Sequence, residues 1–136
     1  LFENYGIPIY ETHGEGGTII SGPNDLDVAL VLDRNDWDVI KSNYLIEALA
    51  QMVKKYLPNH TIEIDNNDIL CDGKKIIGAT TGEVGSKLLY MAHISFYDFS
   101  ALAEILCDKD SSKTPGCVPA ELSRATLLEE IESYFK

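Results

Sequence analysis

The chain has 136 residues, with 22 Asp and Glu against 11 Lys and Arg, a formal net charge of −11 and 45% hydrophobic residues. That length suits one domain, whose folding hides roughly two thirds of the unfolded surface, so a core forms without metal or disulfide staples. The acidic balance excludes a basic phosphate-binding stripe, and with it nucleic acid and polybasic attachment to a membrane.

No apolar run approaches the roughly 20 residues of a membrane span. The opening LFENYGIPIYE carries Glu3 and Glu11 and lacks the cationic start of a signal peptide. Cys71, Cys107 and Cys117 are odd in number and lack CxxC spacing. They read as reduced thiols of a cytoplasmic protein.

In chain order, 6–11, 17–20 and 26–32 are short β-branched runs separated by Gly, Pro and Asn, and predict strands. Leu45, Ile46, Leu49, Met52, Val53 and Tyr56 follow the i, i+3, i+4, i+7 rule of an amphipathic helix. Ser42 or Asn43 caps its start and Pro58 bars its continuation. Residues 61–65, 67–71 and 74–81 predict strands, the last two joined through Asp72-Gly73, a pair suited to the positive φ values of a type I′ turn. A strand over 87–96 and helices over 98–106 and 119–135 follow, the last with Pro119 at its first position. The segment 108–116, DKDSSKTPG, predicts an exposed loop. Strands with interspersed helices predict an α+β domain, a mixed or antiparallel sheet with helices packed on it.

Two segments are candidates for chemistry. In HGEGGTIISGPNDLD (His13–Asp27) the glycines let backbone N–H groups approach an anion, or form a turn between strands. The segment matches neither GxGxxG nor the P-loop pattern. In NDILCDGKKIIG (Asn67–Gly78) a regular two-residue hairpin sets Cys71 opposite Lys74, Leu70 opposite Lys75 and Asp68 opposite Ile77. Lys75 and Asp68 then share a face as diagonal neighbours about 7–8 Å apart. They bracket a polyanion and its metal ion, or the lysines snorkel into water at a hairpin tip. His13, His60 and His93 show no metal-ligand spacing, and residues 65–70 fail the EF-hand pattern. Glu129, Glu130 and Glu132 read as the wet side of the last helix.

Taken together and in order, these segments resemble the lipoate–protein ligase and biotin–protein ligase family. Its members carry a Gly-rich RRxSGGGxVxH stretch and strand, a helix, an NDI motif, a GxKIxG motif with an essential lysine, and a strand ending at a DLS-like helix start. GGTIISGPNDLDVALVL (Gly16–Leu32) looks like the first stretch, NDILCDGKKIIGA (Asn67–Ala79) like the centre, and ISFYDFSALAEIL (Ile94–Leu106) like the last piece.

The resemblance implies one biotin/lipoate ligase-like domain over 1–136. It also implies adenylation of a small carboxylic acid from Mg-ATP, then acyl transfer to a lysine of a carrier domain. Lys75 falls at the family's catalytic lysine, and Asp68 would hold Mg²⁺. Gly16, Gly17, Thr18, Asn67 and Gly78 would contact substrate or nucleotide, and Ile77 would line the acyl tunnel. The chain departs from the pattern at Thr12, Glu15 and Ser21, which replace an arginine, a glycine and a histidine, and the family's leading strand and helix are largely missing from it. The alternative these departures favour is an inert relative serving as a binding, assembly or structural module, partnered or self-associated through an exposed sheet edge.

Overall fold

A computed structural model describes residues 20–33, 44–99 and 113–135, with single positions 6, 35 and 101. The predicted strands over 6–11 and 17–20 and the helix over 98–106 lie largely outside these residues, as do the candidates Gly16, Gly17 and Thr18 and the departures Thr12 and Glu15. The elements are β1 (Leu26–Asp33), α1 (Tyr44–Tyr56), β2 (Ile62–Asp65), β3 (Asp68–Cys71), β4 (Lys74–Val84), β5 (Lys87–Ile94) and α2 (Arg124–Tyr134). The strands form one antiparallel sheet in the order β1-β5-β4-β3-β2. From β2 to β5 the chain is a meander of tight hairpins, and β1 lies beside β5.

Both helices of the described residues belong to one side of the sheet. Because cross-strand partners share a face, the pairs Ile62–Cys71, Ile69–Ile77, Ala79–Ala92 and Leu26–Ile94 mark the covered face. The α1 stripe of Leu45, Ile46, Leu49, Met52 and Val53 is buried in one cluster with these residues and with Leu122, Leu127 and Ile131. Ile77 is fully buried there, so it packs in the core and does not line an open tunnel. No helix of the described residues is long and apolar enough to cross a membrane.

Three boundaries differ from the sequence reading. The last helix starts at Arg124, not Pro119: the Ser123 hydroxyl accepts the Thr126 N–H at 3.1 Å, a local cap that outcompetes the proline signal. Residues 119–122 form a separate turn in which the Leu122 N–H donates to the Pro119 carbonyl. β4 runs on to Val84, because Gly85 takes a positive φ of 61° in the two-residue turn that pairs Val84 with Lys87. β5 ends at Ile94, where Ser95 turns its amide to the Ile76 carbonyl.

Candidate functional site

The Asp72-Gly73 turn has the left-handed geometry its sequence demands, with φ of 51° and 82°. It sets Cys71 opposite Lys74 and Leu70 opposite Lys75. One step further the ladder departs from a regular hairpin. A bulge between Ile69 and Leu70 leaves Ile76 as an extra residue, so Asp68 lies opposite Gly78 rather than Ile77. Lys75 and Gly78 are three apart, and on a regular strand they would face opposite sides. The inserted residue brings both to the face that carries Asp68, away from the helices.

Gly78 is needed here for lack of a side chain. The Lys75 side chain lies across it, and a Cβ at that position would come within 2.8 Å of Lys75 Cε and 3.3 Å of Asp68 Oδ1. The ammonium ends 3.1 Å from Asp68 Oδ1, with the Lys75 side chain 35% exposed and that of Asp68 17%. The Lys75 ammonium is therefore paired with a carboxylate and only partly exposed to water.

A second cation, from the segment read as an exposed loop, completes the arrangement. Lys113 donates to Asp68 Oδ2 at 2.6 Å and to the Asp65 carbonyl at 3.2 Å, and its ammonium stands 3.3 Å from Asp65 Oδ2. The hydrogen bond to Asp68, with Asp65 in support, raises the Lys113 pKa above its ordinary value. Residues 114–116 are held against β4 at the lysine itself. The Lys75 N–H donates to the Thr114 carbonyl at 2.9 Å, and the Gly116 N–H donates to the Lys75 carbonyl at 2.8 Å. Sequence spacing could not reveal Lys113, since 45 positions separate it from Asp68. Asn67 sits in the β2–β3 turn, where its carbonyl accepts the Ala79 N–H at 2.8 Å.

The same face continues across the sheet. Asp68, Gly78, His93 and Asp27 are successive partners in one cross-strand row. His93 is buried, with Nδ1 2.7 Å from Asp27 Oδ1 and Nε2 3.3 Å from Asp25 Oδ2, the latter at an angle that makes no hydrogen bond. Asp25 is buried because its two oxygens accept backbone amides, of Phe96 at 2.7 Å and Gly22 at 2.9 Å. It thus fixes the exit of the Gly-rich segment into β1. Ser21 is exposed beside it. Elsewhere, an open cleft of about 380 Å³ lies between β1 and α2, lined by Val28, Leu30, Leu45, Ile131 and Phe135 among others. Among the described residues, none of the predicted site residues lines it.

An antiparallel sheet with helices on one face fits the solved structures of acid–protein ligases. A candidate lipoate protein ligase from T. acidophilum with bound lipoic acid superposes with a TM-score of 0.73 at 16% identity, over 98% of this chain and 61% of that one. The chain has the lipoate and biotin protein ligase fold. Lipoate-protein ligase A bound with ATP matches with a TM-score of 0.65 at 17% identity, over 98% of this chain and 61% of that one. A biotin protein ligase variant from Aquifex aeolicus in complex with biotin matches with a TM-score of 0.58 at 11% identity, over 82% and 50%. The chain spans about three fifths of these two lipoate ligase chains. No family profile and no curated protein matches the sequence.

Proposed function

We propose that this ligase-fold domain activates a small carboxylic acid of the lipoate or biotin type as its adenylate, using ATP, and passes the acyl group to a lysine of a carrier domain. The carrying observation is the placement of Lys75, partly withdrawn from water across Gly78 and beside Asp68. A carboxylate attacks the α-phosphate of ATP only when two anions are held together and the charge developing on phosphorus is neutralised. The Lys75 ammonium is suited to bridging the acid's carboxylate and an α-phosphate oxygen, and Lys113 adds a second positive charge beside it.

Asp65 and Asp68 already hold a cation, the Lys113 ammonium, so this donor set fits a Mg²⁺ ion that arrives with the nucleotide. Asp68, with Asp65, would hold it, and the ion would neutralise phosphate oxygens. Lys75 meanwhile orients the reacting carboxylate. Asn67 and Gly78, in the turn and strand flanking Asp68, would border the nucleotide, with Gly16, Gly17 and Thr18 of the Gly-rich segment completing the cradle.

The test is pyrophosphate release on mixing the protein with Mg-ATP and lipoate or biotin. Lys75→Ala should lower the rate by about 10²–10³-fold, the range for removing one donor to the transition-state charge, with an unchanged circular dichroism spectrum. Normal release by this variant refutes the assignment. A second reading, a binding or assembly module on the same scaffold, draws on the fact that Lys75 and Lys113 already share the Asp68 carboxylate. Under that reading calorimetry shows no heat and no thermal stabilisation with Mg-ATP and either acid.

A further inference from the structure

The tip of the β3–β4 hairpin carries a second constellation, on the helix side of the sheet and outside the proposed ligase site. Three side chains converge there: His60 from the turn after α1, Cys71 from the end of β3 and Asp72 from the hairpin turn. One ligand atom from each falls within a sphere where all lie within 4.8 Å of one another. His60 Nδ1 is 2.6 Å from Asp72 Oδ2, and Cys71 Sγ is 4.0 Å from the same oxygen. Cys71 is 95% buried, and its sulfur points at the two groups rather than only at apolar neighbours.

The surroundings are those of a prepared coordination sphere. A metal-binding imidazole uses one nitrogen for the ion and the other for a carboxylate that fixes its tautomer. Here Nδ1 faces Asp72 and the sulfur, while Nε2 lies 3.2 Å from Glu121 Oε1. Asp72 is similarly fixed: its Oδ1 accepts the Thr61 N–H at 2.8 Å, leaving the half-exposed Oδ2 to face His60 and Cys71. Its positive φ of 51° is imposed by the turn, so the carboxylate is aimed by the backbone and not by a flexible stem.

We propose that His60 Nδ1, Cys71 Sγ and Asp72 Oδ2 bind one divalent transition cation of the zinc class, with Glu121 as the positioning residue of the imidazole. One nitrogen, one sulfur and one oxygen donor suit a borderline-soft ion that takes four tetrahedral ligands, and solvent would fill the fourth place. Bond lengths of about 2.0–2.3 Å put tetrahedral ligand atoms roughly 3.3–3.7 Å apart. The 2.6 Å contact therefore has to open and the 4.0 Å contact to close, each by less than about an ångström. Binding exchanges aqua ligands of the hydrated ion for three protein ligands, keeps one water in the fourth place, and releases to solvent the displaced waters, the thiol proton of Cys71 and any proton on His60 Nδ1. The ion would tie together the α1–β2 turn, the β3–β4 hairpin tip and, through Glu121, the segment leading to α2.

Cobalt(II) is the probe, because a thiolate ligand gives it a near-ultraviolet charge-transfer band that oxygen and nitrogen ligands do not. The full chain carrying Cys107→Ser and Cys117→Ser should develop this band on adding cobalt, saturate at one ion per chain and lose the band when zinc is added. Cys71→Ser should abolish the band. His60→Asn should weaken binding at least tenfold, and Glu121→Gln by about 10–100-fold, as for the outer partner of a metal-bound imidazole. Should the Cys71 variant not fold, the two surface variants decide the matter by the same band. No cobalt binding, binding without the band, or a band indifferent to His60→Asn overturns the proposal.

Discussion

At the scale of single residues, the site depends on a side chain that is absent. Gly78→Ala introduces a methyl group that must push the Lys75 stem aside, since Cε lies 2.8 Å from the new atom. The residue sits in a strand without positive φ, so backbone strain plays no part in the effect. A displacement of about 1 Å at a reacting group costs on the order of 10²-fold in rate. Gly78→Ala is therefore expected to reduce pyrophosphate release by about that factor while the melting temperature changes little, both read on one preparation. Lys75 and Asp68 were legible in the sequence because a two-residue hairpin assigns faces by simple alternation. Lys113 was not, since its meeting with Asp68 depends on where a connection lies in space, and nothing in DKDSSKTPG encodes that. The His60–Cys71–Asp72 group escaped for the same reason: its donors come from the α1–β2 turn and from the tip of the β3–β4 hairpin, which only the folded chain brings together.

Among elements, the two helices are tied at their wet edge. Glu130 accepts from Lys55 at 2.8 Å and from the Tyr56 hydroxyl. The Lys55 ammonium, then the Tyr56 hydroxyl, hold the Glu130 carboxyl below its ordinary value of 4.5. A carboxyl whose pKa is lower when folded stabilises the fold above its unfolded pKa, and that contribution fades as pH falls through the folded value. The melting temperature of Glu130→Gln should thus lie slightly below that of the natural chain near neutral pH. The gap should close as pH drops below about 4.5, with only a small effect because the groups are exposed. The sequence reading places Glu130 with Glu129 and Glu132 on a wet helix face; those two are exposed, while Glu130 is half-buried against α1, and periodicity does not name a partner on another helix. Element types proved more legible than element ends. α1 is read from its apolar stripe, whereas the start of α2 is settled by a contest between Pro119 and Ser123 that local geometry decides.

For the molecule as a whole, the described core is the layer between the sheet and its helices. Leu49, at the centre of the α1 stripe, is fully buried against that layer. Leu49→Ala should destabilise the domain by about 2.7–5 kcal/mol, the range for leucine truncation in a packed core, measured as a shift of the denaturant midpoint with unchanged slope. The opposite face carries the charged row from Asp68 to Asp27, so core and proposed site occupy separate sides of one sheet. The α+β reading comes from strand alternation and helical periodicity, whereas the ligase resemblance comes from the order of the motifs at 16–32, 67–79 and 94–106, the Gly-rich stretch being the weakest of them.

The backbone pairing of residues 114–116 with Lys75 has a dynamic consequence. The Lys75 and Gly116 amides are each locked by one long-range bond to the other segment, and Lys113 anchors that segment by gripping Asp68. A nucleotide that drew Lys113 onto its phosphates would release this anchor. Hydrogen–deuterium exchange at those two amides should then quicken on adding Mg-ATP while exchange in α1 stays constant, making the join a built-in gauge of occupancy.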